Sequence, residues 1–292
     1  MKLLFYLKHM MYNKLIIAIC SLLLVCCSTE VAPVKNADST DTLEKNYQVH
    51  YEWEDDFEEQ DKIKLQTWIE EISEVTQSTI GTYQFDVYYH FHQSKGNEPV
   101  PYAHTSRQTN HQAVHFYVNP KFSLPEFMAD WTAQHEISHL SLPFVGKKNM
   151  WFSEGYATYM SRQIMINQGI YTALEFDSIY YHRIKGDKYI SALDSFTIPK
   201  VCQKLKSNHN YPSIYYAGSS YFYIANQQLK KNHQTSLMDV IKKYQVTKRL
   251  KDKGLKDVLK SLDDVIGDRT FTDLYSDFEN NSTYEVLNMM QL

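Results

Sequence analysis

Residues 135–139, His-Glu-Ile-Ser-His, constrain the fold of this chain more than any other segment. In an α-helix of about 3.6 residues per turn, imidazoles four residues apart project from one face. The surrounding pattern predicts a buried helix, because apolar side chains recur through it: Phe127, Met128, Trp131, Ile137 and Leu140. Two imidazoles and a carboxylate without partners are costly to bury, and a metal ion shared by His135 and His139 removes that cost. The alternative is a chance match on a helix surface.

Glu136 and Glu154 complete the pattern of a hydrolytic metal site. A catalytic zinc ion takes three protein ligands and leaves one position open, so a third ligand is expected from a nearby helix. Glu154, in the segment Trp-Phe-Ser-Glu-Gly, is the candidate; its alternative role is a solvated acid at the start of that helix. Glu136 would lie beside the metal, where a general base can take a proton from water. We therefore expect Zn²⁺ bound by His135, His139 and Glu154, with Glu136 as the catalytic base.

This combination resembles the gluzincin, or thermolysin-like, zinc metallopeptidases over about residues 84–230. In that group a glutamate on the helix after the His-Glu-x-x-His helix completes the site, often in a Trp-x-x-Glu-Gly context. The resemblance implies an α+β fold with a zincin catalytic domain, in which a small mixed sheet precedes a mostly helical second half. It also implies peptide hydrolysis and a substrate cleft along a strand at residues 113–118.

Aminopeptidase N relatives are a more distant resemblance, with one shared feature and two departures. They carry a tyrosine three residues before a glycine at a helix start, and Tyr215 and Gly218 match that spacing. By that resemblance the Tyr215 phenol donates a hydrogen bond to the oxyanion; Tyr216 is the neighbouring alternative, and an ordinary packed aromatic is a third. The interval between His139 and Glu154 is shorter here, and no Gly-x-Met-Glu-Asn segment is present, so exopeptidase activity is unsupported.

Periodic apolar residues predict strands first and helices afterwards, which favours an α+β architecture. The predicted segments are a helix at 55–80, strands at 85–91 and 114–118 with a long loop or hairpin at 97–111 between them, a helix from 123 to about 142, a helix at 151–167, and helical patterns from 171 onward. A Ser-x-x-Glu capping box marks the start of the helix at 123. His104, His111 and His115, close to the second strand, are either ordinary polar groups or further site residues.

The first 27 residues predict an export signal of the lipoprotein type. Three lysines precede an apolar stretch at 15–25 that is too short to span a bilayer comfortably, and Leu-Val-Cys-Cys resembles a bacterial lipobox. Cys27 is the predicted lipid-bearing residue, because cleavage before Cys26 would place the larger Val25 where small residues are favoured. A plain signal peptide or signal anchor is the alternative. The lipoprotein interpretation predicts a bacterial membrane location, periplasmic or at the cell surface.

The rest of the chain is predicted to divide into a flexible tether at 28–46, a zincin-like catalytic domain at 47–230 and a helical C-terminal part at 231–292. After processing, only Cys27 and Cys202 remain, so no disulfide framework is expected and Cys202 is predicted to be a packed thiol. The formal net charge of -4 comes from intermixed charges without a long basic stripe, which argues against a nucleic-acid partner.

Taken together, these features predict an exported, membrane-anchored zinc metallopeptidase that acts on peptides or proteins. Two rival functions stay open. One is a zinc-containing surface binding protein that captures peptide or glycan without turnover, and the other is a hydrolase of non-peptide carbonyl substrates on the same scaffold.

Overall fold

A computed structural model of the chain describes residues 47–108 and 111–290. The predicted leader, the lipobox cysteines and the tether lie outside the described residues. The strands are Val49–Trp53 (β1), Val87–Gln93 (β2), Tyr102–Gln108 (β3) and His111–Val118 (β4). The helices are Glu59–Ile80 (α1), Leu124–Ala129 (α2), Thr132–His139 (α3), Met150–Asn167 (α4), Ala173–Lys185 (α5), Lys188–Ser191 (α6), Ile198–Ser207 (α7), Tyr211–His233 (α8), Leu237–Thr247 (α9), Leu255–Ile266 (α10), Thr270–Asn280 (α11) and Thr283–Leu287 (α12). Within this described part, no helix combines the length and apolarity needed to cross a membrane.

The four strands form one mixed sheet in the order β1-β2-β4-β3. β1, β2 and β4 run parallel, whereas β3 is antiparallel to β4 and forms with it the hairpin that was one of two predictions for residues 97–111. Alternate side chains of β2 and β4 are buried against α1, where the rings of Trp68 and Phe116 pack with centroids 5.2 Å apart. The sheet precedes a mostly helical second half, which confirms the predicted α+β class.

The predicted substrate strand at residues 113–118 is wrong, because β4 has no free edge. It pairs with β2 on one side and with β3 on the other, so the ladder already uses its backbone groups. In the sheet as described, β3 is the outer strand on this side, and it also contacts α3. On the side of the sheet that contacts α3, the strand whose backbone is able to pair with an extended peptide is therefore β3.

The helix predicted from 123 to about 142 is broken into α2 and α3. The capping box of Ser123 and Glu126 starts α2 as predicted. At Asp130 the backbone becomes extended, with ψ of 134°, and the Asp130 carboxylate accepts a hydrogen bond from the Thr132 amide at 2.8 Å. Aspartate side chains compete with helical hydrogen bonds in this way, and the apolar periodicity does not reveal it. α3 then ends at His139.

A second hydrophobic core lies among the helices of the C-terminal half, with α4 and α8 at its centre. Helix α9 joins this half to the first through Gln245, whose side-chain amide donates to the carbonyls of Ile80 and Gly81 at 2.7 and 3.0 Å. α8 continues across the predicted boundary between residues 230 and 231, and a division of the chain there stays a prediction.

Candidate metal centre

Three side chains from α3 and α4 bring their donor atoms together. The Nε2 atoms of His135 and His139 lie 3.2 and 3.6 Å from the same carboxylate oxygen, Oε2 of Glu154. One donor atom from each residue lies within 4.8 Å of the others, and no other group of three His, Cys, Asp or Glu side chains among the described residues does so. Ligands about 2.0–2.1 Å from a tetrahedral zinc ion are about 3.3 Å apart. The spacing of these side chains therefore suits zinc.

The protonation states of these groups also suit a metal ion. Both imidazoles are 3% exposed. Burial lowers the pKa of His139 to about 4, and the Glu154 carboxylate offsets this effect only in part, so the imidazole is neutral at neutral pH. Burial opposes ionisation of Glu154, but the two imidazoles outweigh it and lower the pKa of this carboxyl below its ordinary value. Neutral imidazole and carboxylate are the forms that bind Zn²⁺, so the donor set fits the metal.

The ring of His139 is held by Ser153 and Arg107. The Ser153 hydroxyl lies 3.4 Å from Nδ1 of His139, and Arg107 Nη2 donates to the same hydroxyl at 3.3 Å. Nη1 of Arg107 donates to the His139 carbonyl at 3.1 Å. With Nε2 of His139 directed at the metal position, Nδ1 carries the proton and donates a hydrogen bond to the Ser153 hydroxyl. This hydrogen bond fixes the orientation of the ring. Nδ1 of His135 is buried and has no such partner within the described ranges.

Two arginines hold the C-terminal end of α3. Arg107 reaches it from β3, and Arg249 reaches it from the segment after α9, where its guanidinium donates to the Leu140 carbonyl at 3.1 and 3.2 Å. Cations at a helix C-terminus are favourable because the last carbonyls have no partner within the helix. Neither arginine was singled out from the sequence. Arg107 is the one Lys, Arg, Asp or Glu residue of β3, and this isolated charge in a strand is the sequence feature that could have pointed to it.

Glu136 follows His135 on α3, and its carboxylate is not among the three converging donors. Burial raises the pKa of this carboxyl to about 7, against the lowering effect of His135 and with the support of Glu154. A carboxyl whose pKa lies near neutrality accepts and releases a proton readily at neutral pH. A group suited to general-base chemistry thus stands next to the candidate metal ligands.

A close crossing of α4 and α8 brings Glu154 and Tyr215 to the same site. Gly155 and Gly218 face each other at the crossing, and a Cβ atom on either glycine would lie within 3.0 Å of backbone atoms of the other helix. Glu154 directly precedes the first glycine, and Tyr215 lies about one helical turn before the second. Helices approach this closely only where neither carries a Cβ atom at the contact.

The Tyr215 ring lies beside the metal centre, with its centroid 5.7 Å from that of His135. Burial raises the pKa of its phenol above the ordinary value, and the nearby carboxylates raise it further, so the hydroxyl keeps its proton and can donate a hydrogen bond. Tyr216 instead contacts Tyr180 on α5, with ring centroids 5.8 Å apart. Of the two tyrosines that the sequence left open, the structure brings Tyr215 to the candidate site.

Two exposed aromatic side chains, one beside the ligand His135 and one beside Arg107, were not predicted as site residues. The Trp131 ring stands edge-on to His135 with centroids 5.0 Å apart, and Trp131 is 38% exposed. Phe144 is 51% exposed, and its ring lies 5.9 Å from the Arg107 guanidinium carbon. Apolar rings beside a polar centre offer contact surface to a ligand. His104, His111 and His115 do not join the centre and lie on β3 and β4 instead.

Comparison with known proteins identifies neighbours in structure. No family model matches the sequence, and no curated protein matches it. The chain is similar to an M1 zinc metallopeptidase from Deinococcus radiodurans, with 16% identity, a TM-score of 0.44 and coverage of 77% of this chain and 45% of that one. It is also similar to an aminopeptidase N family protein from Idiomarina loihiensis, with 15% identity, a TM-score of 0.46 and coverage of 82% and 45%. The chain therefore spans less than half the length of either protein.

The His135, His139 and Glu154 group fits the His-Glu-x-x-His pattern with a downstream glutamate. This is the pattern that underlies the resemblance to gluzincins.

Proposed function

We propose that this chain is a zinc-dependent metallopeptidase of the gluzincin type. The observation that carries the proposal is the convergence of the His135, His139 and Glu154 donor atoms on one position, with Glu136 directly after the ligand His135 in sequence. Three protein ligands leave a fourth position for reactants, which is the arrangement of catalytic and not of structural zinc sites.

Each residue of the site has a chemical part in this proposal. When bound, zinc would polarise the scissile carbonyl and the attacking water. Glu136 would accept the proton from that water and pass it to the leaving amine, which suits a carboxyl with a pKa of about 7. The Tyr215 hydroxyl would donate a hydrogen bond to the carbonyl oxygen as negative charge develops there. The outer edge of β3 would pair with the substrate backbone and hold it in register beside α3.

We propose, further, that the protein is exported and anchored to a bacterial membrane by a lipid on Cys27. The support is the basic and apolar pattern of the first 27 residues. Membrane fractionation of cells that express the wild type and Cys27→Ala tests this directly. We expect membrane association to be lost in the variant, and association that persists unchanged would contradict lipid attachment at Cys27.

Mass spectrometry of a mixed peptide library incubated with the protein tests the proposed activity. We expect cleavage inside the peptides that a zinc chelator abolishes and added Zn²⁺ restores, and that is lost in His139→Ala. Cleavage restricted to amino termini would indicate an aminopeptidase instead. Intact peptides in the presence of bound zinc would contradict the proposal and favour a binding protein or a hydrolase of non-peptide substrates.

A further inference from the structure

The outer face of the sheet carries half of the histidines of this chain, namely His50, His90, His92, His104, His111 and His115. Along each strand they alternate with side chains that turn toward the core, where α1 and α3 pack. Successive side chains of a strand point to opposite faces. The histidine face is therefore on the other side of the sheet from the candidate metal centre, and the proposed peptidase reaction does not use it.

Four of these rings form a compact group on three paired strands, which we call the imidazole cluster: His90, His92, His104 and His115. His90, His115 and His104 occupy directly paired positions on β2, β4 and β3. The His115 ring stacks on His90 with centroids 4.3 Å apart and on His104 with centroids 4.6 Å apart. His92 approaches from the side, and its Nε2 lies 3.4 Å from Nδ1 of His115. Strand pairing fixes the backbone positions of all four rings.

Two nitrogen atoms of the imidazole cluster have lone pairs or protons without a partner. Nδ1 of His90 donates to the Glu54 carboxylate at 2.6 Å, and Nε2 of the same ring is buried without a hydrogen bond in the described part of the chain. Nδ1 of His104 is also buried and unpartnered there. His90 and His104 therefore each have an unused nitrogen and lie against His115, whose Nδ1 is 3.4 Å from Nε2 of His92.

Two rings of the imidazole cluster, His115 and His104, favour the neutral state. Burial, followed by the three neighbouring imidazoles, lowers the pKa of His115 to about 4, with Glu54 acting in the opposite direction. Burial likewise lowers the pKa of His104. Neutral imidazole is the form that binds transition metals, so these two rings need not lose a proton at neutral pH before they bind an ion.

We propose that the imidazole cluster binds a second transition-metal ion, of the Zn²⁺ class, through Nε2 of His92 and Nδ1 of His115. Their separation of 3.4 Å matches the spacing of about 3.3 Å between neighbouring ligands of tetrahedral zinc. No third donor converges on this pair among the described residues, so solvent completes the coordination. His90 and His104 flank the pair and are the nearest further nitrogen donors.

Calorimetric titration of the metal-free full chain with Zn²⁺ tests this site. The wild type is expected to bind two ions with different affinities. His92→Asn and His115→Asn should each weaken the second binding event by at least about 10- to 100-fold, which is the loss that removal of an outer-shell partner causes at metal sites. The first binding event should stay unchanged. The matched control is His50→Asn, on the same face but at β1, where its ring stacks on Tyr88; it should keep both events.

The two metal sites can be tested independently, because His139→Ala should remove only the first binding event, the one at the candidate metal centre. A single binding event in the wild type would overturn the proposal, and so would a second event that survives in both cluster variants; the 3.4 Å contact would then be a hydrogen bond between imidazoles. If a variant does not fold, two-dimensional ¹⁵N NMR of the wild type decides. The second equivalent of Zn²⁺ should shift the ring resonances of His92 and His115 and leave those of His50 in place, and unshifted cluster resonances would refute the site.

Discussion

Substitution of Gly218 by alanine should disable the candidate site from a position that contacts no substrate. A Cβ atom at 218 would lie closer than 3.0 Å to the Trp151 carbonyl oxygen, whereas ordinary contacts begin at 3.4 Å, and it would lie 3.1 Å from the Cα atom of Gly155. All of these neighbours are backbone atoms of α4, which cannot rotate away. The two helices therefore have to separate by on the order of 1 Å.

A separation of this size matters because Glu154 sits on one helix and Tyr215 on the other. Metal-ligand distances tolerate changes of only about 0.2 Å, and a displacement of about 1 Å at a reacting centre can lower the rate by about 100-fold. Overpacking of a tight contact also costs about 1–3 kcal/mol of stability. We therefore expect Gly218→Ala to lose about two orders of magnitude in kcat/KM and to bind Zn²⁺ more weakly.

Peptide cleavage, chelator competition for Zn²⁺ and urea denaturation measure these three effects on the same preparation. The matched control is Gly254→Ala, because a Cβ atom at 254 has no neighbour within 4 Å and the backbone there is extended. It should change activity and zinc affinity little. If Gly218→Ala kept the activity and zinc affinity of the wild type, the close crossing of α4 and α8 would not be what positions the site.

Five further substitutions test individual residues. Glu136→Gln should keep zinc and lose about 10²- to 10⁴-fold in kcat, and retained full activity in a peptide assay would exclude it as the base. Arg107→Met should weaken zinc binding about 10- to 100-fold in a chelator competition assay, because the hydrogen bonds that hold His139 are lost. Arg249→Met should lower the free energy of unfolding by about 1–3 kcal/mol but leave zinc affinity near the wild-type value. An equal loss of zinc affinity in the two variants would refute this distinction. Tyr215→Phe should lower kcat about 10²- to 10³-fold at little change in KM, whereas Tyr216→Phe should behave as the wild type; the reverse order would reassign the oxyanion donor.

The candidate metal centre could be predicted from the sequence because each part of it is local. His135 and His139 are one helical turn apart, and Glu154 opens the next helix, so periodicity and spacing are sufficient to propose the group. Tyr215 required the resemblance as well, since a tyrosine in an aromatic-rich helix has no local signal of its own. The choice between Tyr215 and Tyr216 became clear only when the packing of α8 showed which of the two rings faces α3.

The supporting contacts could not be predicted, because they join distant parts of the chain. Arg249 and Leu140 are 109 residues apart in sequence, and Arg107 and Ser153 are 46 apart. Strand order is another property that no local pattern contains. The alternation at 114–118 correctly indicated a strand, but it could not show that β3 covers its edge. β1 was not predicted, although its apolar and polar residues alternate over five positions.

The break at Asp130 is a case in which local chemistry overrides a correct apolar pattern. The stripe from Phe127 to Leu140 continues through it, yet the Asp130 carboxylate accepts the Thr132 amide hydrogen bond and starts a new helix. Because of this break, α3 is short, and its C-terminal end depends on the two arginines for partners.

Anomalous diffraction at the zinc absorption edge, on crystals of the protein grown with Zn²⁺, tests the central claim most directly. We predict a strong anomalous peak about 2.0–2.2 Å from Nε2 of His135, Nε2 of His139 and a carboxylate oxygen of Glu154. A crystal that contains zinc but shows no peak at this position, with the three donor atoms several ångströms apart, would contradict the account.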